Sequence, residues 1–226
     1  MKIIGHIKTD FPTKFGLPRQ SGLIEEIEGR IILNKEYRNP DAFRGLEDFS
    51  HIWLVWKFSL AEREDWSPTV RPPLLGGNKR MGVFATRSPF RPNPIGLSAV
   101  KLEKIEYTKT DGPVLYIRGA DLADNTPIYD IKPYLPFADS IKNAKGGFAD
   151  NTLDRTLKVI FSDELKNLVP KEKLTTLISV LASDPRPSYQ NDTERVYGFY
   201  FAGLEISFTV KEKELTVISI TKDKNV

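Results

Sequence analysis

The chain of 226 residues has no cysteine and only two histidines, His6 and His51, far apart in sequence. The first absence excludes disulfides, thiolate zinc sites and thiol nucleophiles, and it suits a reducing, cytoplasmic setting. With so little imidazole, a histidine-built metal centre is not expected. No apolar run nears the roughly 20 residues that a helix needs to cross a bilayer, and "MKIIGHIKTD" meets charge too early for a secretion signal, so no membrane association is expected. The patterns G-x-G-x-x-G after a strand, G-x-x-x-x-G-K-[ST] and G-x-S-x-G are also missing. Their absence leaves no support for a Rossmann dinucleotide site, a P-loop or a hydrolase elbow.

Acidic residues are missing locally. Between Trp66 and Leu102 there is no Asp or Glu, while Arg71, Lys79, Arg80, Arg87, Arg91 and Lys101 supply six positive charges, against +3 for the whole chain. Such a segment is either a solvated basic face or a surface for an anionic partner such as phosphate or RNA.

What remains is a chain of 40% hydrophobic and 28% charged residues, enough for a normal core in one or two domains. "MKIIGHIKTDF" and "SGLIEEIEGRIILN" read as extended segments, the second with a turn signal at Gly29. "NPDAFRGLEDFS" reads as a short helix capped by Asn39, with Pro40 at its first position and Gly45 as its stop. "HIWLVWKFSL" fits a strand buried on both faces, and "RMGVFAT" and "IGLSAVKLEKIEYTK" continue the β pattern. "DGPVLYIRGADL" adds a hairpin at Asp111-Gly112. After about residue 149 the pattern changes. "RTLKVIFS", "VYGFYFAGLEISFTV" and "ELTVISIT" are strands around a helical stretch opened by Ser162 and broken at Pro170. The expected architecture is a mainly β, antiparallel barrel-like domain over 1–149 and a small α+β domain over 150–226. Residues 151–226 carry eleven basic and eleven acidic side chains, so the excess charge belongs to the first part.

One stretch resists a purely structural reading. "ATRSPFRPNPIGLSAV" has Pro89, Pro92 and Pro94 with Arg87 and Arg91 between or beside them and no acid. Proline forbids both helix and central strand from Ser88 to Pro94, so this loop is stiff before any ligand arrives, which lowers the entropy cost of binding. Its guanidiniums offer planar forks for a carboxylate or phosphate. On residue chemistry alone, the chain is a β-rich domain with a preorganised basic site for an anionic or nucleotide-like ligand.

Taken in order, "KFGLPRQSGL", "FSHIWLVW", the proline loop, "DLADNTPIYDIKPYLPFADS" and "DPRPSY" resemble the TsaA-like family, whose two-domain members are the TrmO tRNA methyltransferases. The resemblance implies a non-Rossmann, barrel-like enzyme that uses S-adenosylmethionine to methylate N6 of threonylcarbamoyladenosine beside the tRNA anticodon, acting as a homodimer. It implies cofactor contacts at Pro18, Arg19, Gln20, His51, Ile52, Arg87, Leu97, Asp121, Leu122, Ala123 and Asp124. It further implies substrate or tRNA contacts at Arg91, Lys132, Asp184, Arg186 and Tyr189. Asp124 and Asp130 are the candidate proton acceptors, and Arg91 is assigned to the threonyl carboxylate. Asn125 stands where the family commonly has glycine; asparagine is the next most tolerant residue of a left-handed turn. The rival readings are a non-catalytic RNA-binding module and a methyltransferase for a small anionic substrate.

Overall fold

The computed structural model describes residues 1–61, 65–150, 156–186 and 192–222. Tyr189, a predicted tRNA contact, lies outside them. The first part holds β1 (Gly5–Thr9), β2 (Glu28–Leu33), β3 (His51–Lys57), the two-residue strands β4 (Thr69–Val70) and β5 (Met81–Gly82), β6 (Ile95–Thr108), β7 (Gly112–Arg118) and β8 (Pro127–Pro133). Six of these close into a barrel in the order β1-β2-β7-β6-β3-β8, every neighbouring pair antiparallel. Closure follows from a row of strands whose alternate side chains are apolar, because a closed sheet leaves no edge unpaired and fills its lumen with one set of side chains.

Ile7, Ile31, Ile52, Leu54, Val100, Leu115, Ile117 and Ile128 are all at or near zero exposure and form that filling. β3 therefore alternates, with Ile52, Leu54 and Trp56 inward and Trp53 and Val55 only half-buried, rather than being covered on both faces as its composition suggested. Gly29 is not a turn. It sits within β2 opposite Thr9 and Ile117, where a side-chain carbon would come within 3.1 Å of Ile7 and 3.2 Å of Ile117. A Cβ there would crowd the two isoleucine side chains, which would have to shift by a few tenths of an ångström, and sequence pattern cannot tell a glycine of this kind from a turn. The predicted helix after Asn39 is a 3-10 turn over Pro40–Phe43, with the Asn39 side chain accepting the Asp41 N–H at 3.0 Å and Gly45 left-handed at φ 83°. "RMGVFAT" forms only β5 and a 3-10 turn over Val83–Ala85. From Ser88 to Pro94 the chain has neither helix nor strand, as the prolines require.

The later part begins after α1 (Pro136–Asp139) and contains β9 (Lys158–Ile160), α2 (Asp163–Lys166), α3 (Lys171–Ala182), β10 (Tyr197–Phe201), β11 (Leu204–Lys211) and β12 (Glu214–Lys222). Its sheet runs β10-β11-β12-β9, with β9 parallel to β12. Ser162 caps α2, its Oγ accepting the Leu165 N–H, and Pro170 separates α2 from α3. α3 buries Thr176, Leu177, Val180 and Leu181 on one face.

Sheet and barrel share one continuous core. Phe11 and Phe201, both fully buried, place their rings 5.1 Å apart, and the Ala202 N–H donates to Asp10 O at 2.9 Å. Lys173 of α3 reaches back to Asp10 at 2.8 Å and Glu28 at 3.2 Å, and Thr176 Oγ1 donates to the Glu26 carbonyl.

Candidate active site at the proline-loop end of the barrel

The proline loop enters β6 where β3 ends, held by the Phe58 N–H donating to the Pro94 carbonyl at 3.0 Å. Two further predicted segments reach this rim. Arg87 Nη1 donates to Gln20 Oε1, joining the loop to "LPRQ". Gly22 N–H donates to the Gly119 carbonyl at 2.8 Å, which brings the 18–22 segment against the chain leading to Asp121.

Asp121 ties these segments together. Ser98 Oγ of β6 donates to its Oδ1 at 2.6 Å, and Trp56 Nε1 of β3 donates to Ser98 Oγ at 2.9 Å. Burial holds the Asp121 carboxyl above its ordinary value, opposed by the hydrogen bonds from Ser98 and the Ser21 backbone and by the Arg87 charge. Gln20, Ser21, Arg87, Ser98 and Asp121 thus form one polar cluster built from three stretches distant in sequence. Leu122 and Ala123, next along the chain, are buried and anchor it. Pro18 is buried, and Arg19 is half-buried beside it.

Asp124 has a different position. Its Oδ1 accepts the Thr9 N–H at 3.1 Å, and its Oδ2 accepts from Asn125 Nδ2 at 2.9 Å and lies 3.4 Å from Lys8 Nζ. Both oxygens are engaged in holding the turn onto β1. Asn125 adopts φ 60° in that turn, so asparagine does supply the left-handed position where glycine is common. Asp130 lies on the outer barrel face. It pairs with Val55, which also pairs with Leu97, so Asp130, Val55 and Leu97 form one cross-strand row. Leu97 is 55% exposed, and Asp130 Oδ2 lies 3.4 Å from Lys132 Nζ.

His51 and Ile52 begin β3, six residues or about 20 Å from the proline loop at ~3.3 Å per residue, but only three and two residues from Leu54, which pairs with Ser98 of the cluster. The exposed His51 ring faces Tyr134 at 6.2 Å and hydrogen-bonds Ser50 Oγ through Nδ1, while Ile52 points into the lumen.

Arg91 is pinned by its Nη1 to the Thr86 carbonyl at 3.0 Å and the Ser88 carbonyl at 3.3 Å, and it lines a cavity of about 200 Å³ with Trp66, Pro89, Phe90, Pro92 and Pro94. Asp184, left-handed at φ 56°, pairs in two-pronged fashion with Arg186 at 2.8 and 3.0 Å. Both side chains are largely buried, and this ion pair stiffens the loop after α3. Sequence reading missed Ser98 and Trp56. The only signal for either was its place on a buried strand, which does not distinguish a hydrogen-bonding partner from filling.

Two family models match the chain: the tRNA-methyltransferase O N-terminal domain over residues 6–140 and the TrmO C-terminal domain over 154–223. An Escherichia coli K12 protein named tRNA (adenine(37)-N6)-methyltransferase is 43% identical over 225 residues, covering 96% of this chain and 95% of that protein. A Pseudomonas aeruginosa relative, provisionally named an S-adenosylmethionine-dependent methyltransferase, is 37% identical over 94% of this chain and 93% of its own. A crystal structure of TrmO from Pseudomonas aeruginosa matches with a TM-score of 0.77 and 31% identity, covering 97% of both chains.

Proposed function

Given that the chain belongs to the TrmO family, we infer that it is an S-adenosylmethionine-dependent tRNA methyltransferase acting on N6 of the adenine at position 37. The observation that carries the reading is the convergence of Gln20, Arg87 and Asp121 at the rim of a barrel that has no Rossmann glycine loop.

The donor set fits the cofactor. S-adenosylmethionine carries an amino-acid carboxylate, an ammonium and ribose hydroxyls; Arg87 and Gln20 suit the first, and Asp121 suits the other two. Pro18, Arg19, Leu97, Leu122 and Ala123 would shape the walls. When bound, the cofactor supplies a methyl group already activated on a sulfonium. The protein's task is then alignment, which can contribute roughly 7–11 kcal/mol. The stiff proline loop and the interlocked Trp56–Ser98–Asp121 chain suit that task by holding their geometry in advance.

The finer substrate is threonylcarbamoyladenosine. Its N6 nitrogen belongs to a urea, so a proton must leave as the methyl arrives. We assign its acceptance to Asp130, directly or through a water, because that carboxylate is 49% exposed in the row that leads across Val55 to Leu97, whereas Asp124 is committed to its turn. Arg91, which lines the loop cavity, would bind the threonyl carboxylate and Lys132 a nearby phosphate. Asp184 and Arg186 would support a tRNA-facing loop of the second unit, the chain being divided near residue 150.

We further propose a homodimer in which His51 reaches the Arg87 cluster of the other copy, since within one chain His51 faces outward, three residues or ~10 Å along β3 from the Leu54 that pairs with the buried Ser98. Ile95 and Leu97, exposed at alternate positions of β6, offer such a copy an apolar strip on the outer barrel face. Mixing inactive His51→Ala and Arg87→Ala proteins should then restore activity, since each mixed dimer regains one intact site.

The deciding experiment incubates labelled S-adenosylmethionine with tRNA carrying or lacking the threonylcarbamoyl group. Label only in the modified tRNA supports the reading. Label without tRNA would point to a small anionic substrate, and salt-sensitive RNA binding with no cofactor affinity would point to a binding module.

A further inference from the structure

Beside the proline loop the protein exposes two aromatic rings that no part of the proposed cofactor site uses. Phe84 is 72% exposed and Trp66 48% exposed, their rings nearly parallel at 25° with centroids 6.2 Å apart. The backbone beside each ring is tied down: the Val83 N–H donates to the Pro68 carbonyl and the Ser67 N–H to Phe90 O, each at about 3.0–3.1 Å, while Ser67 Oγ donates to Thr69 O at 2.6 Å. Arg91 completes the group, its guanidinium carbon 6.0 Å from the Phe84 centroid. The exposed Arg71, Lys79 and Arg80 lie at the other end of the same two-stranded ribbon, in a segment with no acid from residue 67 to 101; Asp65 is the acidic neighbour on the cavity wall.

An exposed aromatic pair on a hydrogen-bonded backbone within a basic segment matches the way proteins bind single-stranded nucleic acid, with flat side chains stacking on bases and cations tracking the phosphates. The cavity between Trp66 and the proline loop, about 200 Å³, is below the usual range for a whole cofactor and suits a single ring system. We propose that Trp66 and Phe84 form a stacking platform for an unpaired base of the substrate RNA, with Arg71 and Arg80 of the β4–β5 ribbon available to the adjoining backbone and Arg91 left to the threonyl carboxylate. The platform would take a nucleotide next to the target, so that the reacting adenine is presented to the Asp121–Arg87 rim from a fixed neighbour. This rests on the RNA-methylating reading above.

The test uses the full-length protein and a 17-nucleotide anticodon stem-loop RNA. Phe84→Ala changes a largely exposed ring, and Phe84→Tyr keeps a stacking face. Kd for the RNA is measured by anisotropy, Kd for S-adenosylmethionine by calorimetry, and mass by sedimentation. The expected result is a loss of roughly 10- to 100-fold in RNA affinity for the alanine variant, with recovery in the tyrosine variant and unchanged cofactor affinity and mass. RNA affinity within about twofold of the parent would overturn the platform while leaving the methyltransferase reading intact. A fall in mass with Phe84→Ala would likewise overturn it and assign the rings to a second copy of the chain. If the parent protein neither binds RNA nor methylates it, the functional reading itself fails, and the platform with it.

Discussion

At Asp121 a single carboxylate serves two opposed demands. Burial raises its pKa above the ordinary 3.8, and Ser98, the Ser21 backbone and Arg87 pull it back. A folded-state pKa above the unfolded one means that, between the two, the native chain holds a proton that the unfolded chain has lost. Stability therefore falls as pH rises through that window, beginning near the ordinary carboxylate value. Asp121→Asn keeps an acceptor for Ser98 but cannot ionise. Its denaturation midpoint should lose this component of the acid-range pH dependence, as urea unfolding from pH 3.5 upward would record, while its cofactor affinity falls. The two arginines should separate as well. Arg87→Lys, which cannot reproduce a planar fork toward Gln20 and a carboxylate, is expected to weaken S-adenosylmethionine by about tenfold. Arg91→Lys should mainly raise KM for modified tRNA. Equal losses of both ligands in the Arg91 variant would remove its assignment to the threonyl carboxylate.

Elements explain what could be read in advance and what could not. The strands of the barrel were legible where residue type follows the pleat, as from Val100 to Ile105 in β6, though Ile95 and Leu97 point outward while Gly96 and Ser98 point in; the proline loop was legible because three missing N–H groups leave no regular structure possible. Asn125 was legible for the same local reason. Gly29 and the alternation of β3 were not, since both depend on lumen width, which only the closed sheet sets. The Trp56–Ser98–Asp121 chain was hidden too, because it joins residues far apart in sequence that meet only through the pairing of β3 with β6. Gly96 shows how tightly that pairing is built: a methyl group there would overlap the Trp56 indole. Gly96→Ala must displace the indole and break its bond to Ser98. A destabilisation of about 1–3 kcal/mol is expected, together with a loss of cofactor affinity that an exposed strand substitution such as Lys104→Ala would not cause; thermal melts and titration check both.

For the whole molecule, the question is whether the two sequence units act as one folding unit. The two-domain division implied by the resemblance leads one to expect that a cut near residue 150 leaves an intact cofactor-binding barrel. The shared core changes that expectation: removal of the later sheet would bare Phe11, strip Phe199 from Gly16 and leave Asp10 and Glu28 without Lys173. Gly16 opens the segment that carries Pro18, Arg19 and Gln20, so the second unit braces from behind the loop proposed to hold the cofactor. Phe201→Ala empties the centre of this contact, where both rings are fully buried, and should cost about 3–5 kcal/mol. If barrel and sheet fold together, calorimetry will show one transition for the parent and one for the variant, with calorimetric and van't Hoff enthalpies equal and the whole transition moved to lower temperature. Two resolved transitions, with only the later one moved, would show instead that the barrel stands alone and that the brace on the cofactor loop is dispensable.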